Sequence, residues 1–357
     1  MSELTPPALR RPLVTGRTGL ALRLSAWIGV SLIGLALPFS EQMAQSVLAQ
    51  DLPQSQSLQP GAAHLHLRTP QQISEGRRFE MHLGWRNLPA GADVEPVELT
   101  LRWQGRNYKG EPQTFSKSLA LGPSTRSLPL HFESPGQHQV DIVGPDQKVW
   151  KSLHFDASPF PARIFPSEQA RQTSLSQDPE RFHIYVNLHF DPKAPQQRQY
   201  AQIVHDGEIV ERLLISSGAG AKATPQGDFL VGFKDFYPRS SLYNNTPMPF
   251  WSAINMNGNQ GEYGFHALED GGYLYLLGRP ASHGCIRMSR LASVETDPKT
   301  GESYWGDRGG ARWIYDRVPE KAPVTIFSQA LPTFASEDYT AYLARQAREY
   351  KQKQARL

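Results

Sequence analysis

One cysteine and two histidines are the residues of this chain whose types and spacing could do covalent chemistry. Cys285 is the single cysteine among 357 residues, and it lies in the stretch ASHGCIRMS. His283 precedes it by two residues, and His266 lies upstream in YGFHALED. A thiol attacks carbonyls as its thiolate, and a neighbouring imidazole can take its proton or stabilise the anion. These residues therefore predict nucleophilic catalysis by Cys285.

The neighbours of Cys285 supply other groups that acyl transfer needs. Gly284 leaves room for a substrate carbonyl, and the N–H groups of Gly284 and Cys285 could form an oxyanion hole. Arg287 offers a planar cation that matches a carboxylate. In an extended stretch, the side chains of His283 and Cys285 would lie roughly 6–7 Å apart, too far for a direct hydrogen bond. This spacing favours His266 as the general base, although a tight turn at Gly284 would shorten the distance.

Other interpretations of these residues stay open at this point. A buried, inert thiol is disfavoured because Gly, Ser, His and Arg around it would make a poor core. A zinc site from His266, His283 and Cys285 would have the three ligands of a catalytic metal, but no further ligand lies at metal spacing. The segment GAGAKAT, 218–224, lacks the spacing of a phosphate-binding loop, and a mobile glycine loop beside a groove is the better interpretation.

The first 49 residues are interpreted as a signal peptide, with an N-terminal anchor as the alternative. Four arginines accompany an apolar run at 24–39, and Val47 and Ala49 provide the small residues of a cleavage site. The run is short for a membrane-spanning helix, which needs roughly 20 apolar residues. Either way, we expect the rest of the chain to be exported to the periplasm or cell envelope. Cysteines usually pair as disulfides there, so an unpaired Cys285 indicates a reactive thiol.

The composition favours two folded domains and gives no support to nucleic-acid binding. Hydrophobic residues make up 39% of the chain, and its net charge of +3 is not gathered into a dense basic patch. Polar residues 50–61 are interpreted as a linker. Residues 62–157 contain short alternating runs between turns, which predicts a β-sandwich-like accessory domain. The proline-containing stretch 158–180 is interpreted as a second linker that few contacts cross.

The rest of the chain is also predicted to be mainly β. Residues 181–330 form the second, β-rich domain, with a hairpin over 200–216 and a short helix over 311–318. The polar, glycine-containing stretch 296–310 is interpreted as a loop. Residues 331–357 are interpreted as a C-terminal helix, because no Gly or Pro follows the predicted N-cap Ser336.

The spacing of His266 and SHGCIRM at 282–288 resembles the motif of the L,D-transpeptidase family, whose catalytic domain is called YkuD-like. In that family a histidine precedes a Ser/Thr-His-Gly-Cys segment by a similar distance. The hairpin, the segment TPQGDF at 224–229 and the closing strand APVTIF are similar as well. The resemblance covers about 181–328, so it implies a YkuD-like β-rich catalytic domain.

The resemblance implies a reaction on peptidoglycan. Cys285 would attack the third residue of a stem tetrapeptide, expel the terminal D-amino acid and form a thioester. An amine of another stem would resolve that thioester into a 3-3 cross-link. The catalytic residues implied are Cys285, His266, His283 and Gly284. The residues expected at the substrate are Arg287, Ser282, Ala267 and Trp251, with the Ala267 carbonyl orienting His266.

Three further expectations follow from the resemblance. The partners are donor and acceptor stem peptides, with an outer-membrane lipoprotein or other wall-synthesis proteins as further candidates and with a role in cell shape. No cofactor and no metal are expected. The alternatives are a peptidoglycan L,D-carboxypeptidase or endopeptidase that passes the same acyl-enzyme to water, and a non-catalytic wall-binding protein.

Overall fold

A computed structural model describes residues 64–88, 95–194, 196–256, 259–268, 271–296 and 300–331, together with 348 and 352. The predicted signal or anchor at 1–49 and the linker at 50–61 lie outside these residues. The predicted helix over 331–357 lies outside them too, apart from 331, 348 and 352. None of the helices in the described part of the chain is long and apolar enough to span a membrane.

The first domain is a β-sandwich built from two sheets. Its strands are β1 (His64–Arg68), β2 (Ile73–Ser74), β3 (Phe79–Arg86), β4 (Val97–Arg106), β5 (Pro112–Leu121), β6 (Arg126–Leu130), β7 (Gly136–Val143) and β8 (Val149–Ser158). One sheet has the order β1-β3-β6 and the other β2-β8-β7-β4-β5. Alternate residues of facing strands form one core, in which Leu83 from one sheet meets Leu101 and Ile142 from the other.

The second domain is organised by one eight-stranded mixed sheet. Its strands are β9 (Phe182–Asn187), β10 (Tyr200–His205), β11 (Glu208–Leu214), β12 (Gly227–Asp235), β13 (Trp251–Met256), β14 (Asn259–Ala267), β15 (Ile286–Met288) and β18 (Pro323–Phe327). Their order is β11-β10-β9-β18-β12-β13-β14-β15, with parallel pairing of β9 with β18 and of β14 with β15. The mainly β fold predicted from the sequence is confirmed.

The parallel pair at one edge of this sheet brings the motif residues together. In its register His266 on β14 lies beside Arg287 on β15. Cys285 comes directly before β15, so the thiol sits at the start of the strand that carries Arg287. The helix α2 (Gly310–Arg317) packs against β13, β14 and β15, and its buried Trp313 and Ile314 join the core beneath them.

The stretch 158–180 differs from the separating linker that its prolines predicted. Ile164 is buried, and Arg163 forms a parallel β-bridge with Leu213 of β11. A short helix, α1 (Glu168–Gln172), follows it and puts Ala170 into the main core of the second domain. Trp313 of α2 donates its indole N–H to the Ala170 carbonyl at 3.2 Å. This stretch is therefore a packed part of the second domain, because its few apolar residues face inward.

The two domains share a buried ion pair, which the sequence did not predict. Glu75 of the sandwich accepts a 2.5 Å hydrogen bond from Arg212 of β11, and their side chains are only 6% and 2% exposed. Beside it, Tyr108 donates to the Gly207 carbonyl at 2.6 Å, and Ile209 donates its N–H to the Gly76 carbonyl at 2.9 Å. The expectation that few contacts cross between the domains is therefore wrong.

Two strands occupy part of the segment that was interpreted as a loop. They are β16 (Ala292–Thr296) and β17 (Ser303–Asp307), which pair as an antiparallel hairpin. The side chain of Asp307 ties this hairpin to the catalytic domain, because it accepts hydrogen bonds from the N–H groups of Leu291 and Gly309. The glycine and polar residues of 296–310 thus lie partly in strands.

Candidate active site

Residues 282–285 form a tight turn that presents Cys285. Ser282, which is buried, donates its hydroxyl to the Cys285 carbonyl at 2.5 Å and accepts from the Gly284 N–H at 3.1 Å. Gly284 has φ +120°, a conformation that residues with a Cβ rarely adopt. A Cβ at this position would also lie 2.8 Å from the Tyr263 ring. Glycine is therefore required by the turn, and Ser282 holds the turn closed and does not face the substrate.

The turn changes the oxyanion hole that the sequence suggested. Gly284 N–H already donates to Ser282, so it is occupied in this structure. The N–H of Cys285 has no hydrogen-bond partner within the described residues. Cys285 N–H is therefore the free backbone donor for a developing oxyanion in this structure, whereas Gly284 N–H would first have to leave Ser282.

The glycine segment 218–224 packs against the turn at 282–285 and hydrogen-bonds to it. Thr224, which is buried, donates to the Gly284 carbonyl at 2.6 Å and accepts from the Gly218 N–H at 2.9 Å. A Cβ on Gly218 would lie 2.8 Å from the Gly284 Cα, so the two backbones approach as closely as glycine allows. The segment thus lies beside the groove, and the close approach of the two backbones explains the glycine at 218.

His266 is buried, and its ring is oriented by a main-chain carbonyl. It is 6% exposed, and its Nδ1 lies 2.8 Å from the Ala267 carbonyl oxygen. That oxygen can only accept, so Nδ1 carries the proton and Nε2 keeps its lone pair. Burial is the main reason that the pKa of His266 falls to about 4, so the ring is neutral at pH 7. Ala267 therefore fixes a tautomer and does not contact substrate.

Cys285 presents its thiol beside β14. Its Sγ lies 3.9 Å from the Glu262 carbonyl oxygen. Burial raises the pKa of the thiol, while a backbone hydrogen bond from Gly264 and the charge of Arg287 act in the opposite direction. The raised pKa of Cys285 and the lowered pKa of His266 both favour a thiol and a neutral imidazole over an ion pair.

Arg287 adds a positive charge to the site that contains Cys285 and His266. Its backbone pairs with Ser216 in both directions at 2.9 Å, and its Nη1 donates to the Ala281 carbonyl at 3.2 Å. Among the described residues its guanidinium forms no ion pair with a carboxylate. Burial lowers the pKa of Arg287, and the nearby Cys285 raises it. A half-buried guanidinium with unused donors is suited to a carboxylate of a ligand.

These residues line one groove of about 370 Å³. Part of the lining consists of His266, His283, Cys285 and Arg287. The rest comes from the segment 240–248 and includes Ser240, Leu242, Tyr243, Asn244, Thr246 and Met248. His283 is exposed, and its ring stacks on Tyr243 with centroids 4.6 Å apart. This stacking joins the two groups of lining residues.

Trp251 is not a groove residue, contrary to the sequence-based prediction. It is 3% exposed, and its ring lies against His266 with centroids 6.0 Å apart and planes inclined by 29°. It packs so closely under Gly264 that a Cβ there would lie 2.7 Å from its ring. Trp251 therefore supports His266 from the core side. Phe250 is likewise buried, whereas Met248 does line the groove.

The structure adds residues that the sequence did not single out. Thr224 lies in the recognised TPQGDF segment, which is the signal that could have found it. Tyr243 and Lys222 come from two separate loops, and no local pattern marks them. In the part of the chain that the structure describes, no three His, Cys, Asp or Glu side chains are grouped as a metal ion would require.

Comparisons with known proteins agree with this site. A model of the family described as YkuD, L,D-transpeptidase catalytic domain, matches residues 181–326. A search of the curated proteins gave no match. Among solved structures, an L,D-transpeptidase (Yku) from Stackebrandtia nassauensis is 17% identical, with 47% of this chain and 66% of that one covered and a TM-score of 0.30.

Two further solved structures are similar at the same level. An L,D-transpeptidase from Mycobacterium smegmatis is 13% identical over 74% of this chain and 100% of its own, with a TM-score of 0.28. A cysteine-to-serine mutant of the L,D-transpeptidase from Enterococcus faecium is 24% identical over 41% of this chain and 49% of its own, with a TM-score of 0.25. The chain thus spans less than two thirds of the Stackebrandtia and Enterococcus proteins. The family model matches the residues that build the groove, so residues 181–326 are similar to an L,D-transpeptidase catalytic domain, as the motif predicted.

Proposed function

We propose that this protein is a cysteine L,D-transpeptidase that acts on peptidoglycan stem tetrapeptides in the cell envelope. The observation that carries the proposal is the convergence of Cys285, His266 and Arg287 on one groove, with His266 Nε2 left free by the Ala267 carbonyl. A nucleophile, an oriented base and a carboxylate-binding cation are the groups that transfer of a peptide acyl group needs.

Acylation would begin with a proton transfer that is unfavourable in the resting site. The pKa of the thiol is raised by burial and that of the imidazole is lowered to about 4, so both shifts favour the neutral pair over the ion pair. His266 would therefore accept the thiol proton as Sγ attacks the carbonyl of the third residue. Cys285 N–H would donate to the oxygen that becomes negative.

The rest of the reaction follows from the same groups. The tetrahedral intermediate would collapse by breaking the bond to the terminal D-amino acid, whose amine would take the proton from His266. The product on the enzyme is a thioester. An amine of a second stem would then attack that thioester and give up a proton to His266. The new amide bond would form as the carbon–sulfur bond breaks, the 3-3 cross-linked peptide would leave, and the Cys285 thiolate would take the proton back from His266.

The proposal is tested with a defined tetrapeptide muropeptide as substrate and mass spectrometry of the products. A cross-linked dimer is expected, together with a transient adduct whose mass fits a thioester on Cys285. Cys285→Ala, the matched control, should give neither. If the product is a shortened monomer without dimer, the enzyme is the hydrolase that passes the acyl group to water. Full activity of Cys285→Ala would overturn the mechanism.

The place of action is part of the proposal. The arginines and the apolar run of residues 1–49 lie outside the described residues, and they support export to the periplasm. The proposed partners are donor and acceptor stem peptides, with a lipoprotein amine as a further acceptor. Fractionation of cells that produce the tagged full-length chain would test this, and recovery in the cytoplasm would contradict it.

A further inference from the structure

A second cation lies beside Tyr243, one of the residues that line the groove. Lys222, in the glycine segment, donates from Nζ to the Tyr243 hydroxyl at 2.9 Å, and its Nζ lies 4.7 Å from the centre of the Tyr243 ring. The Lys222 side chain is exposed, and it forms no ion pair with a carboxylate among the described residues. An ammonium group has three donors, so the bond to Tyr243 leaves donors for a ligand.

The contact with Tyr243 holds Lys222 close to the thiol. The Tyr243 ring stacks on His283, two residues from Cys285. On the other side, the Lys222 carbonyl oxygen lies 2.0 Å from a Cβ built on Gly218 and 3.8 Å from one built on Gly284. Both ends of Lys222, its backbone and its ammonium group, are thus placed against the catalytic turn.

Tyr243 is carried by a segment that is braced internally. The Ser240 hydroxyl accepts hydrogen bonds from the N–H groups of Leu242 and Tyr243, and the Thr246 N–H donates to the Tyr243 carbonyl at 2.9 Å. Asn244 and Asn245 both have positive φ and close the turn. This bracing positions the Tyr243 hydroxyl, and therefore Lys222, before any ligand arrives.

The charge of the groove is one-sided. Arg287 lines the groove, Lys222 contacts the lining residue Tyr243, and none of the lining residues is acidic. Two cations near one nucleophile fit a ligand with two carboxylates. A donor tetrapeptide carries such a pair when its third residue is a diamino acid with a free side-chain carboxylate, because its terminal D-residue supplies the other.

We propose that Lys222, positioned by Tyr243, is a specificity-determining residue that binds a carboxylate of the donor peptide while Arg287 binds another. This inference rests on the proposed function. It assigns the side-chain carboxylate of the diamino acid to Lys222 and the terminal carboxylate to Arg287. The enzyme should then select donors whose diamino acid has a free carboxylate over donors in which that group is a carboxamide.

The test measures kcat/KM for acyl transfer with three synthetic tetrapeptide donors and one amine acceptor. The donors carry both carboxylates, a side-chain carboxamide, or a terminal carboxamide. The full-length enzyme should prefer the first donor over the second by roughly tenfold, the worth of one charged hydrogen bond, and most of the difference should appear in KM. Added salt should reduce the preference.

Two variants and one control assign that preference to Lys222. Lys222→Met should reduce the side-chain preference to less than about twofold and make it independent of salt. Tyr243→Phe keeps the ring on His283 but removes the hydroxyl that holds Lys222, so an intermediate preference is expected. Lys193→Met removes an exposed lysine that does not line the groove, and it should behave as the wild type.

The outcomes separate this inference from the proposed function. If the wild type converts all three donors and Lys222→Met keeps the full side-chain preference, Lys222 is not the carboxylate-binding residue. If Lys222→Met removes the terminal preference instead, the two carboxylates are exchanged and the assignment is wrong. If the wild type converts no donor while its thiol still reacts with iodoacetamide, the proposed function itself fails.

Discussion

Glu75→Ala is expected to lower the free energy of unfolding of the protein by roughly 3–5 kcal/mol, the range found when one partner of a buried ion pair is removed. Glu75 lies in the sandwich and Arg212 in the second domain, and their side chains are 6% and 2% exposed. After the substitution the guanidinium stays buried without a counter-charge. Gln202 and the Phe160 carbonyl still accept from it, but neither is charged.

A second loss accompanies the first. The other carboxylate oxygen of Glu75 accepts from the Phe160 N–H at 2.9 Å, and no other acceptor for that N–H is described. An unsatisfied buried N–H costs roughly 1–3 kcal/mol, so the upper part of the range is expected. The double variant Glu75→Leu with Arg212→Met removes both charges, and it should recover part of the stability that Glu75→Ala loses.

The assay is urea unfolding followed by tryptophan fluorescence, with the slope against urea checked for each variant. The matched control is Glu208→Gln, which breaks the exposed pair of Arg78 and Glu208 across the same domain contact at 3.6 Å. An exposed pair contributes less than about 1 kcal/mol, so the control should stay near the wild type. A Glu75→Ala variant within about 1 kcal/mol of the wild type, with an unchanged slope, would refute this reasoning.

Two further changes probe the catalytic domain itself. Thr224→Val keeps the shape of the side chain but leaves the Gly284 carbonyl and the Gly218 N–H without their partner. It should lower the free energy of unfolding in urea by roughly 1–3 kcal/mol and also lower turnover. The control Thr114→Val, at an exposed position, should do neither. His266 binds a proton near pH 6.5 when unfolded but only near 4 when folded, so stability falls as the pH drops through that window, by up to about 3 kcal/mol. His266→Gln should remove that share of the pH dependence, and an unchanged difference in unfolding free energy between pH 7 and pH 4 would contradict the assignment.

The sequence predicted the centre of the site well because that part is local. Cys285, Gly284 and Arg287 lie within four positions, and the fixed distance to His266 is a repeated family pattern. Their chemistry is also specific, since a thiol beside imidazoles predicts nucleophilic catalysis. The alternating runs of β3 and β9 likewise revealed strands, because each strand buries one face.

The parts that the sequence missed depend on contacts between distant residues. Glu75 and Arg212 are 137 positions apart, and an isolated Glu or Arg is normally an exposed residue. Trp251 stands in a strand where consecutive residues are buried on both faces, so alternation cannot tell the groove side from the core side. Lys222 and Tyr243 meet through two loops, whose approach no periodicity encodes.

Contacts between distant residues also weigh against the prediction that the second domain folds without the first. A fragment that begins near residue 177 would lose Glu75, would lack Ile164 and Ala170 from its core, and would expose Ile209. Prolines mark positions where helices and central strands are unfavourable, but they do not show whether a segment packs. The stretch 158–180 is rich in proline and still packs against β11.

Strand β11 connects the contact between the domains to the catalytic turn. Arg212 holds the sandwich at one point of the strand, and four residues later Ser216 pairs with the backbone of Arg287 in both directions. Ser217 then accepts from the N–H groups of Ala281 and Ser282. Four extended residues span roughly 13 Å. The continuous chain from Arg212 to Ser217 thus connects the contact with the sandwich to the backbone that shapes the Cys285 turn. None of the described residues of the sandwich lines the groove, so this connection is the path by which the sandwich can affect the position of Cys285.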